Sequence, residues 1–208
     1  MRKLSALFPI VLLTCLAIFW GSQRSRSQVA ATPDYEDVRS PSPSPLLRNE
    51  LPNSLLCTVT KVSDGDTINV NCDGQKKRVR LCGIDAPETE HGTKAGQPLG
   101  EESKAMLKRL VEESGNKVGV ATHEVDRYGR DIAEVWENKG DNSKLFNTEL
   151  VQAGLAYNYK KYSGRCLNAE SIDSAETLAK EKRLGVWDGN RYEYPWDFRR
   201  QKLIITFL

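Results

Sequence analysis

Hydrophobic and polar residues alternate along three stretches of the chain, which is the pattern of β-strands with one buried face. These stretches are Leu55–Val62, Thr67–Cys72 and Lys76–Ile84. An Asp-Gly pair separates each stretch from the next, at positions 64–65 and 73–74. Because this dipeptide favours tight hairpin turns, the pattern predicts a three-stranded meander.

The rest of the folded region mixes helical and strand patterns. Apolar positions three and four residues apart predict helices over Gly100–Gly115, Lys144–Ala156 and Ala169–Gly185. Two further strands are predicted at Lys117–Thr122 and Asp131–Trp136. Five short antiparallel strands with a helix after the third predict an α+β fold, a partly open five-stranded OB-type β-barrel with three helices. Such barrels often bind oligonucleotides, but a fold alone does not define a function.

The chain is expected to divide into four segments. Residues 1–27 contain an apolar run, Leu4–Trp20, behind two basic residues, which predicts a signal peptide or a membrane anchor. Residues 28–54 are rich in Ser and Pro and predict a disordered linker. The folded domain is expected over 55–190, and an aromatic, basic strap over 191–208 packs on it. We therefore expect a monomer that is either secreted or membrane-anchored on the extracytoplasmic side.

The charge balance excludes a strongly basic protein. The 208 residues include 30 Lys and Arg against 28 Asp and Glu, which leaves a net charge of +2. A nucleic-acid-binding surface must therefore be local. Candidates for such a surface are Lys76, Lys77, Arg78, Arg127, Lys160, Lys161 and Arg165.

Four cysteines follow the apolar leader, an even number that suits disulfides in an oxidising compartment. A zinc site is not favoured, because no two cysteines have zinc-ligand spacing and the two histidines lie in unrelated segments. Two disulfides can pair in three ways. The register of the first hairpin places Cys57 opposite Cys72, and elimination then leaves Cys82 with Cys166.

Acidic residues gather at the ends of the predicted meander. Asp64 and Asp66 flank the first turn, and Asp85 and Glu88 follow the third strand. In a meander the start of the second strand lies beside the end of the third, so Asp66 and Asp85 converge. Convergent carboxylates repel each other unless a cation lies between them, and oxygen ligands without His or Cys favour calcium or magnesium. An ordinary Asp-Gly turn is the alternative for the first pair.

Two arginines accompany these acids. Arg80 lies on the third strand, and Arg130 closes the sequence DRYGR after the fourth. Each is either a solvated surface charge or a guanidinium directed at a phosphate, which it can bind through two hydrogen bonds. Cation, carboxylates and two arginines together predict a site that cleaves phosphodiesters.

Four motifs in this order, VSDGDTINV, RVRLCGIDAPE, DRYGR and RLGVW, resemble the staphylococcal nuclease (thermonuclease) family. The resemblance extends from about Leu56 to Trp187. It implies a calcium-dependent, sugar-non-specific endonuclease that hydrolyses DNA and RNA and leaves 3′-phosphates. A non-catalytic nucleic-acid-binding module of the same fold is the alternative, and the complete set of acids and arginines favours the enzyme. A membrane-anchored adhesion or scaffold domain does not explain that set.

The resemblance also implies roles for the acids. Asp66 and Asp85 are similar to the family's calcium ligands, and Ala86, the residue after the second aspartate, is expected to add its backbone carbonyl. Asp64 supports the ion from outside its ligands. Glu88 is similar to the proposed general base that activates water.

The remaining implied roles concern the substrate. Arg80 and Arg130 are similar to the arginines that bind the scissile phosphate. Tyrosines near the positions of Tyr128, Tyr157 and Tyr159 contact bases or the terminal phosphate, and Arg127 adds positive charge beside them. For Tyr157 and Tyr159, packing at the barrel rim is the alternative.

Overall fold

The structure is a computed structural model that describes residues 54–92, 95–139 and 143–206, with side chains as far as Gln201. The signal peptide or anchor predicted at 1–27 lies outside the described residues, as does nearly all of the linker predicted at 28–54. Within the described ranges, no helix is both long enough and apolar enough to cross a membrane.

Seven strands form the β-structure of the described domain. They are β1 Ser54–Asp64, β2 Thr67–Cys72, β3 Gln75–Leu81, β4 Ile84–Asp85, β5 Lys117–Val125, β6 Asp131–Glu137 and β7 Tyr157–Asn158. Five of them make a closed barrel in the order β1-β2-β3-β6-β5, while β4 and β7 pair separately. The five predicted barrel strands are confirmed with small differences at their ends.

The predicted α+β fold with a five-stranded OB-type barrel is confirmed. Two details, the partly open barrel and the all-antiparallel pairing, are wrong. The barrel is closed, because β1 is long enough to pair with β5 over Ser54–Thr58 and with β2 from Thr58 onward. Register shifts within the second half of β1 accompany this change of partner. In addition, β3 and β6 are parallel, with Val79 opposite Asp131. The chain crosses to β5 after β3, so β6 returns beside β3 in the same direction.

The described domain has five α-helices where three were predicted. They are α1 Gly100–Glu113, α2 Phe146–Gln152, α3 Lys160–Ser163, α4 Ala169–Glu181 and α5 Pro195–Thr206. The predicted helices correspond to α1, α2 and α4, of which α2 is much shorter than expected. The strap predicted over 191–208 contains α5, which begins at Pro195, a residue well suited to the first helical position.

One continuous core fills the barrel and extends under the helices. Ile68, Val79 and Leu81 from the strands pack with Leu107 of α1 and Leu150 of α2, and each of these side chains is at most 1% exposed. Burying such side chains stabilises the fold by roughly 1.5–3 kcal/mol each. The strand ends that carry the candidate site are therefore attached to a rigid framework.

Two disulfides cross-link the described domain, with both predicted pairings. Cys57 bonds to Cys72 across the β1–β2 hairpin, where the register places Thr58 opposite Asn71. Cys82 bonds to Cys166, 84 residues away, and joins the turn before β4 to the segment between α3 and α4. A closed loop of this size restricts the unfolded chain by about 4–5 kcal/mol on the chain-entropy estimate.

Candidate active site

The predicted convergence of Asp66 and Asp85 is present in the structure. Asp66 ends the β1–β2 turn, and its carbonyl accepts a hydrogen bond from the Leu81 amide at 2.8 Å. Asp85 lies on β4, a few residues beyond the end of β3. The amide of the next residue, Ala86, donates to Asp66 Oδ2 at 3.1 Å, so the two acidic segments are in direct contact.

The glycine between the first two acids is required by packing as well as by the turn. A Cβ atom on Gly65 would lie 2.0 Å from Ser103 Oγ of α1 and 2.8 Å from the Cβ of Ala86. Only a residue without a side chain allows the turn to approach both α1 and the segment after β4. The interpretation of Asp64–Asp66 as a plain turn therefore understates its packing role.

Arg80 bridges the two convergent carboxylates. Its Nη1 donates to Asp66 Oδ1 at 2.8 Å and its Nη2 to Asp85 Oδ1 at 2.5 Å. The aspartates are 4% and 0% exposed, so the guanidinium compensates charges that water cannot reach. Burial alone would raise the pKa of Asp66, but Arg80 and the hydrogen bond from Ala86 outweigh it and hold that pKa below its usual range. Asp66 is therefore ionised at neutral pH.

Asp64 contacts the backbone of Asp66, whereas Arg80 contacts the side chains of Asp66 and Asp85. Its Oδ1 accepts a hydrogen bond from the Asp66 amide at 3.2 Å. Burial, followed by the negative charge of Asp66, raises the pKa of Asp64 to about 7. The sequence prediction that Asp64 supports the site from outside is compatible with this position.

Arg199 of α5 also reaches the acids, and the sequence reasoning missed it. Its Nη1 donates to Asp85 Oδ1 at 3.0 Å and to Glu88 Oε1 at 2.6 Å, and its Nη2 donates to Asp85 Oδ2 at 2.7 Å. The only signal in the sequence was the basic character of the strap, which does not distinguish Arg199 from its neighbour Arg200.

Glu88 is placed by its backbone. The Glu88 carbonyl accepts from the Gln97 amide at 2.8 Å, and the Glu88 amide donates to Gln97 Oε1 at 3.1 Å. A Cβ on Gly100, the first residue of α1, would come within 2.3 Å of the same carbonyl. The start of α1 thus fixes the backbone of Glu88, while its side chain remains 32% exposed and turns toward Arg199.

Arg130 lies next to Arg80 in the fold without touching the acids of the site. It is the residue before β6, whose Asp131 pairs with Val79 and whose Ile132 pairs with Arg80, so Arg130 directly precedes the first rung of the ladder that contains Arg80. Its contacts are within its own turn, where the side chain of Asp126 accepts from Arg130 Nε and Nη2, both at 2.7 Å. Of the predicted phosphate-binding pair, the structure thus places only Arg80 on the carboxylates.

The three predicted substrate tyrosines have different environments. Tyr128 is 68% exposed, and the guanidinium of Arg127 lies 4.8 Å from its ring centre. Tyr157 is only 2% exposed and pairs with Asp85 in the β4–β7 ladder. Tyr159 is half-buried and stacks on Trp196 of α5. For Tyr157 the structure favours the packing alternative, whereas Tyr128 is accessible.

The donor set at this site suits a hard cation. Asp66 and Asp85 offer carboxylate oxygens and Ala86 a backbone carbonyl, with neither sulfur nor imidazole beside them. Across the described ranges, no group of three or more His, Cys, Asp or Glu residues is arranged to hold a metal. A bound cation would therefore depend on two carboxylates, the carbonyl and water. Arg80 and Arg199 already bring positive charge to these carboxylates, so the site accommodates positive charge.

A closed five-stranded barrel with two buried acids and an arginine at the ends of its strands is an OB-type barrel with a charged site at its rim. The chain belongs to the family described as staphylococcal nuclease homologue, whose profile matches residues 78–189. It is 35% identical over 129 residues to the thermonuclease of Staphylococcus hyicus, covering 62% of this chain and 73% of that protein. It is 36% identical over 147 residues to the micrococcal nuclease of Shigella flexneri, covering 68% and 79%.

An uncharacterised endonuclease of Haemophilus influenzae is also 36% identical, over 149 residues that cover 71% of this chain and 75% of that protein. The predicted family and the predicted enzyme class are confirmed. The chain is a nuclease, a hydrolase with nucleic-acid substrates. The alternative of a non-catalytic binding module is not supported.

Proposed function

We propose that this nuclease is a calcium-dependent, sugar-non-specific endonuclease that cleaves DNA and RNA and leaves 3′-phosphates. One group of contacts carries the proposal. Arg80 donates a hydrogen bond to Asp66 and another to Asp85, and the amide of Ala86, next to Asp85, donates to Asp66. Buried acids joined to an arginine form a site that can hold both a cation and a phosphate.

Calcium would be held by the carboxylates of Asp66 and Asp85 and the carbonyl of Ala86, and it would supply positive charge that polarises the phosphate. The low pKa of Asp66 keeps that carboxylate available as a ligand near neutral pH. Asp64 holds the Asp66 backbone through the hydrogen bond to its amide, and so orients the neighbouring carboxylate.

The remaining residues act on the substrate. Arg80 and Arg130 bind the scissile phosphate and offset charge as it builds in the transition state. Glu88 orients or deprotonates a water molecule, whose oxygen attacks phosphorus. The bond from phosphorus to the 5′-oxygen breaks, that oxygen takes up a proton, and a 3′-phosphate remains. Glu88 is suited to this role because its backbone is fixed while its side chain is partly exposed.

A basic groove beside the site supports a polyanionic substrate. A cavity of about 540 Å³ is lined by Lys61 of β1, Arg78 of β3 and Lys104 of α1, among other residues. Arg78 lies two positions before Arg80 on the same strand, so the groove continues the face that carries the candidate site. Exposed Tyr128 offers a ring for a base without sequence preference.

The proposal also covers the location of the enzyme. The apolar leader and the two disulfides support a monomer that is secreted or held at the outer face of a membrane. Cell fractionation and N-terminal sequencing of the native protein distinguish these two fates. Recovery of the whole domain in the cytosol with free thiols would contradict both.

Digestion of single-stranded DNA and of RNA, with calcium and with chelator, tests the activity. We expect cleavage of both polymers in calcium, loss of cleavage in chelator, and products whose 3′ ends become extendable only after phosphatase treatment. Equal cleavage with chelator would contradict the role of calcium, and free 3′-hydroxyl ends would contradict the direction of cleavage.

A further inference from the structure

The last described helix, α5, lies outside the part of the chain that matches the family. The family profile ends at residue 189, and α5 begins at Pro195. Nevertheless α5 contacts the candidate site through Arg199 and one of the predicted substrate residues, Tyr159, through Trp196. The role of this helix is therefore argued from the contacts that it makes in this chain.

We propose that α5 is an intramolecular plug that occupies the nuclease site and must move away before the cation and the nucleic acid bind. The inference rests on the proposed function, since it concerns the same acids and the same substrate surface. It assigns Arg199 the place of the cation and Trp196 the place of a base.

Arg199 occupies Asp85, one of the two acids that a cation would need, and also the neighbouring Glu88. Both oxygens of Asp85 accept hydrogen bonds from its guanidinium, and Glu88 accepts a third. Asp85 is 0% exposed, so its charge is compensated by protein groups alone. A cation that binds Asp85 through both oxygens must displace this guanidinium, because Arg80 and Arg199 already occupy both acceptor sites of Oδ1.

Trp196 covers the aromatic surface beside the acids. Its ring stacks on Tyr159 with centres 4.8 Å apart and planes 5° apart, and on Tyr194 with centres 4.6 Å apart. This is the flat contact that an unpaired base makes with an aromatic side chain. A base can stack on Tyr159 at this face only when Trp196 leaves it.

The described side chains of α5 attach it to the domain through a few named contacts. Among its described side chains Pro195 is buried, whereas those from Trp196 to Arg199 are half-buried and the last two are exposed. Gln97, whose Nε2 donates to the Glu193 carbonyl at 2.8 Å, adds a contact before the helix. Displacement of α5 therefore breaks chiefly the hydrogen bonds of Arg199 and the aromatic contacts of Trp196.

The alternative role for Arg199 is a third phosphate-binding arginine. Arg80, to which that role is assigned, is likewise directed at two carboxylates. Arg199 differs because it lies on α5, whose Trp196 also covers Tyr159, whereas Arg80 lies on a barrel strand. The two roles predict opposite effects of its removal. Loss of a plug strengthens ligand binding, and loss of a phosphate contact weakens it.

Calorimetric titration of calcium into the full chain tests the plug. We expect Arg199→Gln to bind calcium at least ~5-fold more tightly than wild type, a coupling of ordinary size between two mutually exclusive states. Arg200→Gln is the matched control, because Arg200 is exposed and its ion pair is with Asp197 in the same helix. Unchanged or weaker calcium binding by Arg199→Gln would overturn the plug.

A second measurement separates this inference from the proposed function. If no variant binds calcium, the calcium proposal fails, and the plug is then judged by binding of a single-stranded oligonucleotide in chelator. We expect Arg199→Gln and Trp196→Ala to bind the oligonucleotide more tightly than wild type, and added oligonucleotide to accelerate amide exchange in α5. Equal or weaker affinity in both variants, with unchanged exchange in α5, refutes the plug whatever the metal requirement.

Discussion

Arg130 is held by Asp126, four residues before it, through two side-chain contacts of 2.7 Å and a hydrogen bond of 3.0 Å from the Arg130 amide. The aspartate of DRYGR therefore organises the turn that presents the arginine. Because Arg130 directly precedes β6, which pairs with the strand of Arg80, its position beside that strand depends on this turn.

Asp126 is predicted to act through Arg130. Asp126→Ala removes the carboxylate that accepts hydrogen bonds from the Arg130 guanidinium and from the amides of Tyr128 and Arg130. We expect hydrolysis to slow by ~10-fold in this variant and by ~100-fold in Arg130→Ala. The double variant is expected to match Arg130→Ala, since residues that act as a unit are not additive. Rates for the four proteins complete the cycle, and fully multiplicative losses would show that Asp126 has a separate role.

Arg80 is predicted to serve both stability and hydrolysis. Arg80→Ala leaves two buried carboxylates short of a partner, so we expect it to lower the free energy of unfolding without calcium by up to about 3–5 kcal/mol. Calcium should restore part of that loss, while hydrolysis in calcium stays at least ~100-fold below wild type. Urea denaturation and rate measurements check both effects. Arg109→Ala, at an exposed position on α1, is the control, and a wild-type rate in Arg80→Ala would exclude the assigned role.

Glu88→Gln is predicted to affect hydrolysis without affecting the fold. The change keeps the shape of the side chain and the backbone hydrogen bonds to Gln97, but it removes the negative charge that activates water. We expect a rate at least ~100-fold lower, while the free energy of unfolding falls by no more than the ~1 kcal/mol that a partly exposed ion pair with Arg199 contributes. Glu90→Gln, at an exposed position two residues on, provides the comparison. Equal rates for the two variants would exclude Glu88 as the base.

The long disulfide is predicted to hold the site together. Replacing Cys82 and Cys166 by serine should lower the free energy of unfolding by about 3–5 kcal/mol, and it releases the turn that leads to Asp85. Peptide mapping of the native protein should yield the linked pairs Cys57–Cys72 and Cys82–Cys166. Four free thiols would contradict both the pairing and the proposed location.

The sequence predicts the features that depend on neighbouring strands. Asp66 and Asp85 converge because a meander brings the start of one strand to the end of the next, and Cys57 meets Cys72 through the register of the same hairpin. The parallel pairing of β3 with β6 escapes such reasoning, because it depends on where α1 delivers the chain.

Long-range contacts of the tail are the other part that the sequence did not predict. Tyr157 is buried by Trp187, Tyr194 and Trp196, residues that follow it by thirty or more positions. Arg199 reaches Asp85 across 114 residues, and no periodicity marks it among the basic residues of the strap. Contacts of this kind are selected by packing in three dimensions and leave no local pattern.

The two carboxylates of the site belong to different parts of the domain. Asp66 is fixed by the barrel, whereas Asp85 is paired with Tyr157 in a two-residue ladder and tethered through Cys82 to the helical side. The active centre thus lies at the boundary between the barrel and the helical side of the domain. If the contacts between these two parts weaken, Asp66 and Asp85 separate while the barrel stays folded. We therefore expect nuclease activity to appear last during folding and to be lost first on heating.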